Sequence, residues 1–279
     1  MLHQRTRLLS SLLVTLAATA TLAANACSST NDTGGGAGTD AGTSSGDPVD
    51  GGGGGGGDGG GGGGDGGGGQ DAEVDTGSAC DTATSVCDDF DKSTSIHPKW
   101  TPTASGGSVS VVAQGLSAPN ALAVVVNAGG AAAYIERALA FASKVRCEMD
   151  MKIEAMPTQG DLDLFSITTK AATSDYYVYF AHSAAGYLLG EFSEQLPGGS
   201  SVDRKEPIAA PPTGSWFKVV LAVDGATATL TANGVTSTLT GLAQPSGATR
   251  NVQVGAPFSQ STEAGSRVLY DNVLCTYGK

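Results

Sequence analysis

The chain has 279 residues, 42 of them glycine, and carries 27 acidic against 15 basic side chains for a formal charge of −12. Residues 28–79 hold nine of the acids and no base, while residues 80–279 hold 18 acids and 13 bases, so much of the imbalance sits ahead of the folded part. No cluster of Lys and Arg forms a stripe, which excludes nucleic acid as a partner, because phosphate binding depends on grouped cations that release counterions.

Residues 1–26 have the composition of an export signal. His3, Arg5 and Arg7 precede an apolar run from Leu8 to Leu22, and Ala24-Asn25-Ala26 supplies small residues before Cys27. The run is too short and too rich in Ser, Thr and Ala to predict a membrane span. Two processing routes fit: ordinary cleavage after Ala26, or bacterial lipoprotein processing with a lipid on Cys27. Ala24 stands where the usual lipoprotein signal has Leu. Five cysteines leave one odd in an exported chain. Cys80, Cys87, Cys147 and Cys275 can pair among themselves, so Cys27 is the natural leftover and the candidate lipidation site. The expected location is the outer membrane or cell surface, with secretion or the periplasm as the alternative; the only membrane contact expected is the lipid.

Residues 27–79 have no hydrophobic periodicity and centre on a glycine tract, Gly51–Gly69, broken by Asp58 and Asp65. Glycine loses the most backbone entropy on ordering, and this stretch has almost no apolar surface to offset the loss. It is expected to be a disordered tether with a root-mean-square span of roughly 40 Å.

From residue 80 the pattern becomes short runs of Val, Thr, Tyr, Leu and Ile in alternation, separated by Gly, Pro, Asn and Asp. Strands are predicted over residues 108–113, 121–126, 131–139, 145–155, 162–170, 175–182, 186–193, 216–223, 226–232, 235–240, 251–255 and 267–275, with no helix. Asp224-Gly225 and Asn233-Gly234 predict two tight hairpins, placing three strands side by side. The first of these is apolar on both faces and therefore predicted to lie inside its sheet. About a dozen strands without helices imply an all-β fold of two stacked sheets or a barrel. The segment Leu196–Pro212, with Arg204, Lys205 and Glu206, reads as a long loop.

An opening Cys87-Asp88-Asp89-Phe90-Asp91 with Trp100, a late Trp216-Phe217-Lys218-Val219 leading into Asp224-Gly225, and a closing Val268-Leu269-Tyr270-Asp271-Asn272-Val273 resemble the concanavalin A-like lectin/glucanase superfamily in its laminin-G-like form. The resemblance spans nearly all of residues 87–275. It implies an antiparallel jelly-roll sandwich with one concave and one convex sheet, in a superfamily whose members bind glycans or proteins and in part cleave polysaccharides. It also allows Cys147 and Cys275 to be neighbours, which makes their pairing, with Cys80 and Cys87 closing a small loop, the preferred of the three connectivities that four cysteines permit. Finally, it places Asp271 where a last-strand Asp often holds calcium, with Asp88, Asp89 or Asp91 nearby.

Three further groups of residues are candidates for chemistry or binding. Glu148, Asp150 and Glu154 share one face of a predicted strand, but Glu148 and Glu154 would lie about 20 Å apart, too far for a retaining glycosidase pair at about 5 Å. With Arg146 and Lys152 they read as a solvated charged face. His97 and His182 are isolated, and alginate-lyase-type sandwiches pair His with Tyr in a basic groove, which the surroundings of His182 and Tyr187 do not supply. Tyr177, Tyr179 and Tyr187 are the candidate ligand-stacking residues, against the alternative that they cover the sandwich core. The resulting expectation is a monomeric, surface-displayed module that binds a polysaccharide or another cell-surface molecule, with calcium as the one conceivable cofactor. The alternatives are a polysaccharide-cleaving enzyme or a structural envelope protein.

Overall fold

The structure, a computed structural model, describes residues 81–127, 130–139, 142–170, 175–196, 199–245, 249–261, 263 and 265–278. The export signal, Cys27, the glycine tether and Cys80 lie outside the described residues. Fifteen strands and no helix make up the described residues.

One sheet runs β13 (Val235–Thr240), β12 (Thr227–Ala232), β11 (Trp216–Asp224), β6 (Lys144–Ala155), β15 (Ser266–Gly278), β4 (Ala121–Val126), β3 (Gly107–Val112), with β1 (Ser85–Asp88) also paired to β15. The other runs β10 (Val202–Ile208), β9 (Gly186–Ser193), β8 (Asp175–Ser183), β7 (Leu162–Lys170), β14 (Thr249–Ala256), β5 (Ala132–Leu139), β2 (Thr101–Ser105). All pairings between these strands are antiparallel, and the fold is a two-sheet jelly-roll sandwich.

Alternation places one set of side chains from each sheet in a common core. Cys147, Met149, Met151 and Ile153 of β6 and Phe217, Val219, Leu221 and Val223 of β11 meet Phe165, Ile167, Tyr176, Val178, Phe180, Val252 and Val254 of the opposite sheet. Each such side chain removed from water stabilises the fold by about 1.5–3 kcal/mol. Cys147 and Cys275 face each other across β6 and β15 and are disulfide-bonded, with an S–S distance of 2.12 Å. Cys87 is also disulfide-bonded.

The meander β11-β12-β13 forms as predicted, with β11 inside its sheet. Its two turns differ. Asn233 and Gly234 both have positive φ, +49° and +79°. At the other turn Asp224 pairs with Thr227, so the central residues are Gly225 (φ +54°) and Ala226 rather than Asp224-Gly225. The segment read as a loop over Leu196–Pro212 contains β10, an edge strand whose Asp203, Arg204, Lys205, Glu206 and Pro207 are the residues that keep a free edge from pairing further.

The opening motif is structural. Asp88 accepts a hydrogen bond from the Phe90 amide at 2.9 Å and another from Trp100 Nε1 at 2.8 Å. This holds Phe90 at φ +61° and seats Phe90 and Trp100 in the core. Asp91 accepts from the Asn120 amide at 2.8 Å, tying the first loop to the start of β4.

Candidate functional site

The outer face of the seven-stranded sheet is assembled by register. Tyr177 and Tyr179 on β8 alternate with the core residues Tyr176, Val178 and Phe180, so both point away from the sandwich interior. Opposite them on β7 stand Thr168 and Ser166, and on β9 Phe192 and Gly190. β14 continues the face with Asn251 opposite Thr168 and Gln253 opposite Ser166. Gln253 in turn faces Glu136 on β5, and Gly255 faces Tyr134. β2 completes it with Thr101 opposite Glu136 and Thr103 opposite Tyr134.

Two halves result. The β8–β9 half is an apolar shoulder of Tyr177, Tyr179, Ala181, Leu188 and Phe192. Tyr179 lies flat over Gly190: a Cβ on Gly190 would sit 2.1 Å from the Tyr179 ring. Tyr177 packs against Phe192 with ring centroids 6.5 Å apart. Tyr177 and Tyr179 are only 8% and 1% exposed, so they form a wall rather than an open stacking platform. They do not cover the intersheet core, the alternative considered from sequence. Tyr187 is not part of this face. It is paired with His182 and packs on the core side against Phe180, 6.0 Å between centroids, and His182, 4.9 Å.

The β7–β14–β5 half is a polar ladder. The hydroxyls of Ser166 and Thr168 both donate to Gln253 Oε1, at 2.8 and 3.1 Å, and Gln253 Nε2 donates to Glu136 Oε2 at 2.7 Å. At its open end stands Tyr134, half-buried and unremarked from sequence, between Thr103 and the position of Gly255. Gly255 has φ +116°, and a Cβ there would meet the Ala133 carbonyl at 2.7 Å and the core residue Val124 at 3.1 Å, so only glycine fits the position. The signal in the sequence was the alternation of Tyr134 with Ala133 and Ile135, which places it outward once Ile135 is in the core.

The other candidates do not assemble into chemistry. On β6, Glu148 is ion-paired to Arg146 at 2.5 Å and Glu154 to Lys152 at 3.0 Å and to Arg267. Asp150 accepts from Asn272 Nδ2 at 3.0 Å and lies 3.7 Å from Lys218. This is the solvated charged face expected. His182 sits at the core-side end of β8 with Nδ1 unpartnered; burial lowers its pKa, against a smaller opposing pull from Asp161. His97 accepts the Lys99 amide at 3.1 Å on the rim of a cavity of about 210 Å³, where Asp81 and Asp88 pair with Lys99 at 3.1 and 3.6 Å.

Asp271 is surrounded by donors. Its Oδ2 accepts from the Leu116 amide at 2.7 Å and from the amide and hydroxyl of Ser117, both at 3.0 Å, while Oδ1 accepts from the Asn272 amide at 2.7 Å. Calcium needs six or more oxygen ligands, and N–H and O–H groups aimed at a carboxylate are not such ligands. Among the described residues no group of three or more His, Cys, Asp or Glu side chains could hold a metal ion. Asp271 therefore does not fit the expected calcium ligand; it pins the loop after β3. Burial pushes its pKa up to about 6 in spite of the four donors.

Glu191, on the core side of β9, likewise has four hydrogen bonds. It accepts from Tyr176 at 2.7 Å, from the Ala243 amide at 2.7 Å, and from two nitrogens of Arg204. Arg204 also donates to the carbonyls of Thr240 at 2.8 Å and Gly241 at 3.0 Å, which joins the β10 edge of one sheet to the end of β13 in the other.

No protein-family model and no curated protein matches the sequence. Among solved structures, the cellulose-induced protein Cip1 is similar with a TM-score of 0.52 and 14% identity over 68% of this chain and 96% of that one. A family 7 alginate lyase, A1-II′ in complex with product, gives a TM-score of 0.47 and 11% identity over 73% and 99% of the two chains. Alginate lyase PA1167 from Pseudomonas aeruginosa gives 0.42 and 13% over 56% and 82%. The likeness to Cip1 agrees with the jelly-roll sandwich read from the strand pairings.

Proposed function

We propose that this chain is a surface-displayed lipoprotein, anchored through Cys27 and a glycine tether, whose sandwich binds a carbohydrate on the outer face of the seven-stranded sheet. The observation that carries the reading is the fixed ladder Ser166–Thr168–Gln253–Glu136 beside the half-exposed Tyr134 ring. A pyranose presents hydroxyls around an apolar face; Tyr134 offers a ring for that face, and Glu136, held in place by the buried ladder, offers an ordered acceptor for the hydroxyls. Tyr177 and Tyr179 wall the far side.

Binding rather than cleavage is favoured by the carboxylates. On this face Glu136 and Asp163 lie two strands apart and several residues along, a separation on the order of 12 Å. Glycosidase pairs stand about 5 to 9.5 Å apart.

A glycan array probed with the full chain, followed by a reducing-end assay on each hit, tests the proposal. Binding without product that is lost in Tyr134→Ala supports it. Product would make the protein an enzyme, and silence in both assays would leave it a structural envelope protein. Incorporation of labelled fatty acid into wild type but not Cys27→Ala tests the anchor; equal label in both removes it.

A further inference from the structure

We infer that the ligand is an uncharged polysaccharide and that polymers of uronic acids are excluded, an inference that rests on the outer face being the carbohydrate site. Two independent features of that face lead there. The first is the direction of its hydrogen bonds. Ser166 and Thr168 spend their protons on Gln253, and Gln253 spends an amide proton on Glu136. Those three side chains are buried, and the second carboxylate oxygen of the partly exposed Glu136 is left as the acceptor that a ligand meets. A carboxylate acceptor is matched by ligand hydroxyls, which donate, and is mismatched to ligand carboxylates, which only accept.

The second is the sign of the charge. The acids facing outward are Asp175, Asp203 and Glu136, with Asp161 at the rim. The bases facing outward are Lys170 and Lys205, and both are already paired, to Asp175 at 2.9 Å and to Asp161 at 3.4 Å. No arginine points out from these strands: Arg204 and Arg137 are committed to Glu191 and to the Lys99 carbonyl, and Arg250 is buried at 5% exposure. The acids outnumber these two bases, so a polyanion laid on this face would meet net like charge. Uronate recognition relies on Arg or Lys forks to carboxylates, and none is presented.

Affinity electrophoresis of the full chain through native gels containing hydroxyethylcellulose, galactomannan, chitosan, alginate or polygalacturonate tests the inference. Retardation is expected in one or both neutral polymers, changing by less than about twofold when salt is raised, since screening acts on charged partners. No retardation is expected in alginate or polygalacturonate. Retardation in either polyuronate, or only in chitosan with loss in salt, overturns the inference while leaving a carbohydrate site standing. No retardation in any gel removes the binding reading and the inference together. Tyr134→Ala, at a half-buried position that leaves the core intact, should abolish the neutral-polymer shift. If Tyr134→Ala and a folded Gln253→Ala migrate like wild type in hydroxyethylcellulose, the site is elsewhere and the inference falls.

Discussion

Replacing Glu191 by Ala removes the one carboxylate that joins four donors at the open side of the sandwich. Glu191 is fully buried, whereas the Arg204 side chain is 38% exposed. Breaking a buried pair typically costs about 3–5 kcal/mol, because the surviving charge is left uncompensated. Arg204 can rehydrate and keep its bonds to Thr240 and Gly241, which favours the low end. The Tyr176 hydroxyl and the Ala243 amide, however, lose their acceptor, at about 1–3 kcal/mol for each group left buried and unbonded. Burial, the larger of the causes that hold the Tyr176 phenol above its ordinary pKa, persists without Glu191, so the phenol remains a donor and cannot offset the loss by ionising. The expected destabilisation is about 4 kcal/mol, read by urea denaturation as a fall in midpoint at constant slope. Glu191→Leu combined with Arg204→Met should cost less than Glu191→Ala alone, since no charge is then stranded. A loss below about 1 kcal/mol for Glu191→Ala would refute the clamp, that being the range of exposed pairs. A double variant worse than the single one would refute the stranded-charge account.

Gly190→Ala should destabilise by about 1–3 kcal/mol by displacing the Tyr179 ring, and the effect should largely vanish in a Tyr179→Ala background; additivity in thermal melts would show that the ring does not lie there. Asp271 has a folded pKa of about 6 against an ordinary 3.8, so the folded state holds the extra proton between those values. Its contribution is present below pH 4 and lost as pH rises through 6, about 3 kcal/mol in all. Stability curves of wild type and Asp271→Asn should therefore converge in slope above pH 6 and diverge below it, and parallel curves from pH 4 to 7 would contradict the shift. Removing the Cys147–Cys275 disulfide as a double Ala variant opens a loop with sequence separation 128 and should lower stability by about 4–5 kcal/mol. An unchanged urea midpoint would show that the unfolded chain is not constrained by the bond.

Twelve strands were legible because their alternation is strong, and the turn residues around β12 and β13 fixed even their neighbours. The three that escaped have physical reasons. β1 is four residues long, β2 reads Thr-Pro-Thr-Ala-Ser with a proline inside it, and β10 is a charged edge strand. Edge strands need not alternate, because one side has no partner to satisfy. Faces were harder. Tyr177, Tyr179 and Tyr187 look alike in sequence, but parity does not carry from one strand to the next. The pairing of His182 with Tyr187 turns Tyr187 into the core while Tyr177 and Tyr179 face out. Tyr134 was hidden by the alanines around it, which suit a helix as well as a strand. Asp271 was legible as a buried last-strand acid, but its partners at Leu116 and Ser117 come from 155 and 154 residues away and no local pattern announces them.

The two outer faces differ in a way that bears on function. The eight-stranded sheet presents β6 charges neutralised pair by pair and, on β12 and β13, threonines directly opposite one another. Such a face is solvated and reorganises freely when touched. The seven-stranded face instead buries Ser166, Thr168 and Gln253 to 3% exposure or less and locks them to one another. Uncharged polar side chains on an outer face gain little stability from this arrangement, because each bond replaces one to water at a net of about 0.5–1.5 kcal/mol. What the arrangement does provide is fixed direction for the partly exposed Glu136 that Gln253 holds: it loses little rotamer freedom when a ligand arrives, a loss that otherwise costs about 0.5–1.5 kcal/mol per side chain. An acceptor ordered before contact, on the same face as a half-exposed aromatic ring, is the making of a binding surface rather than of a protective one.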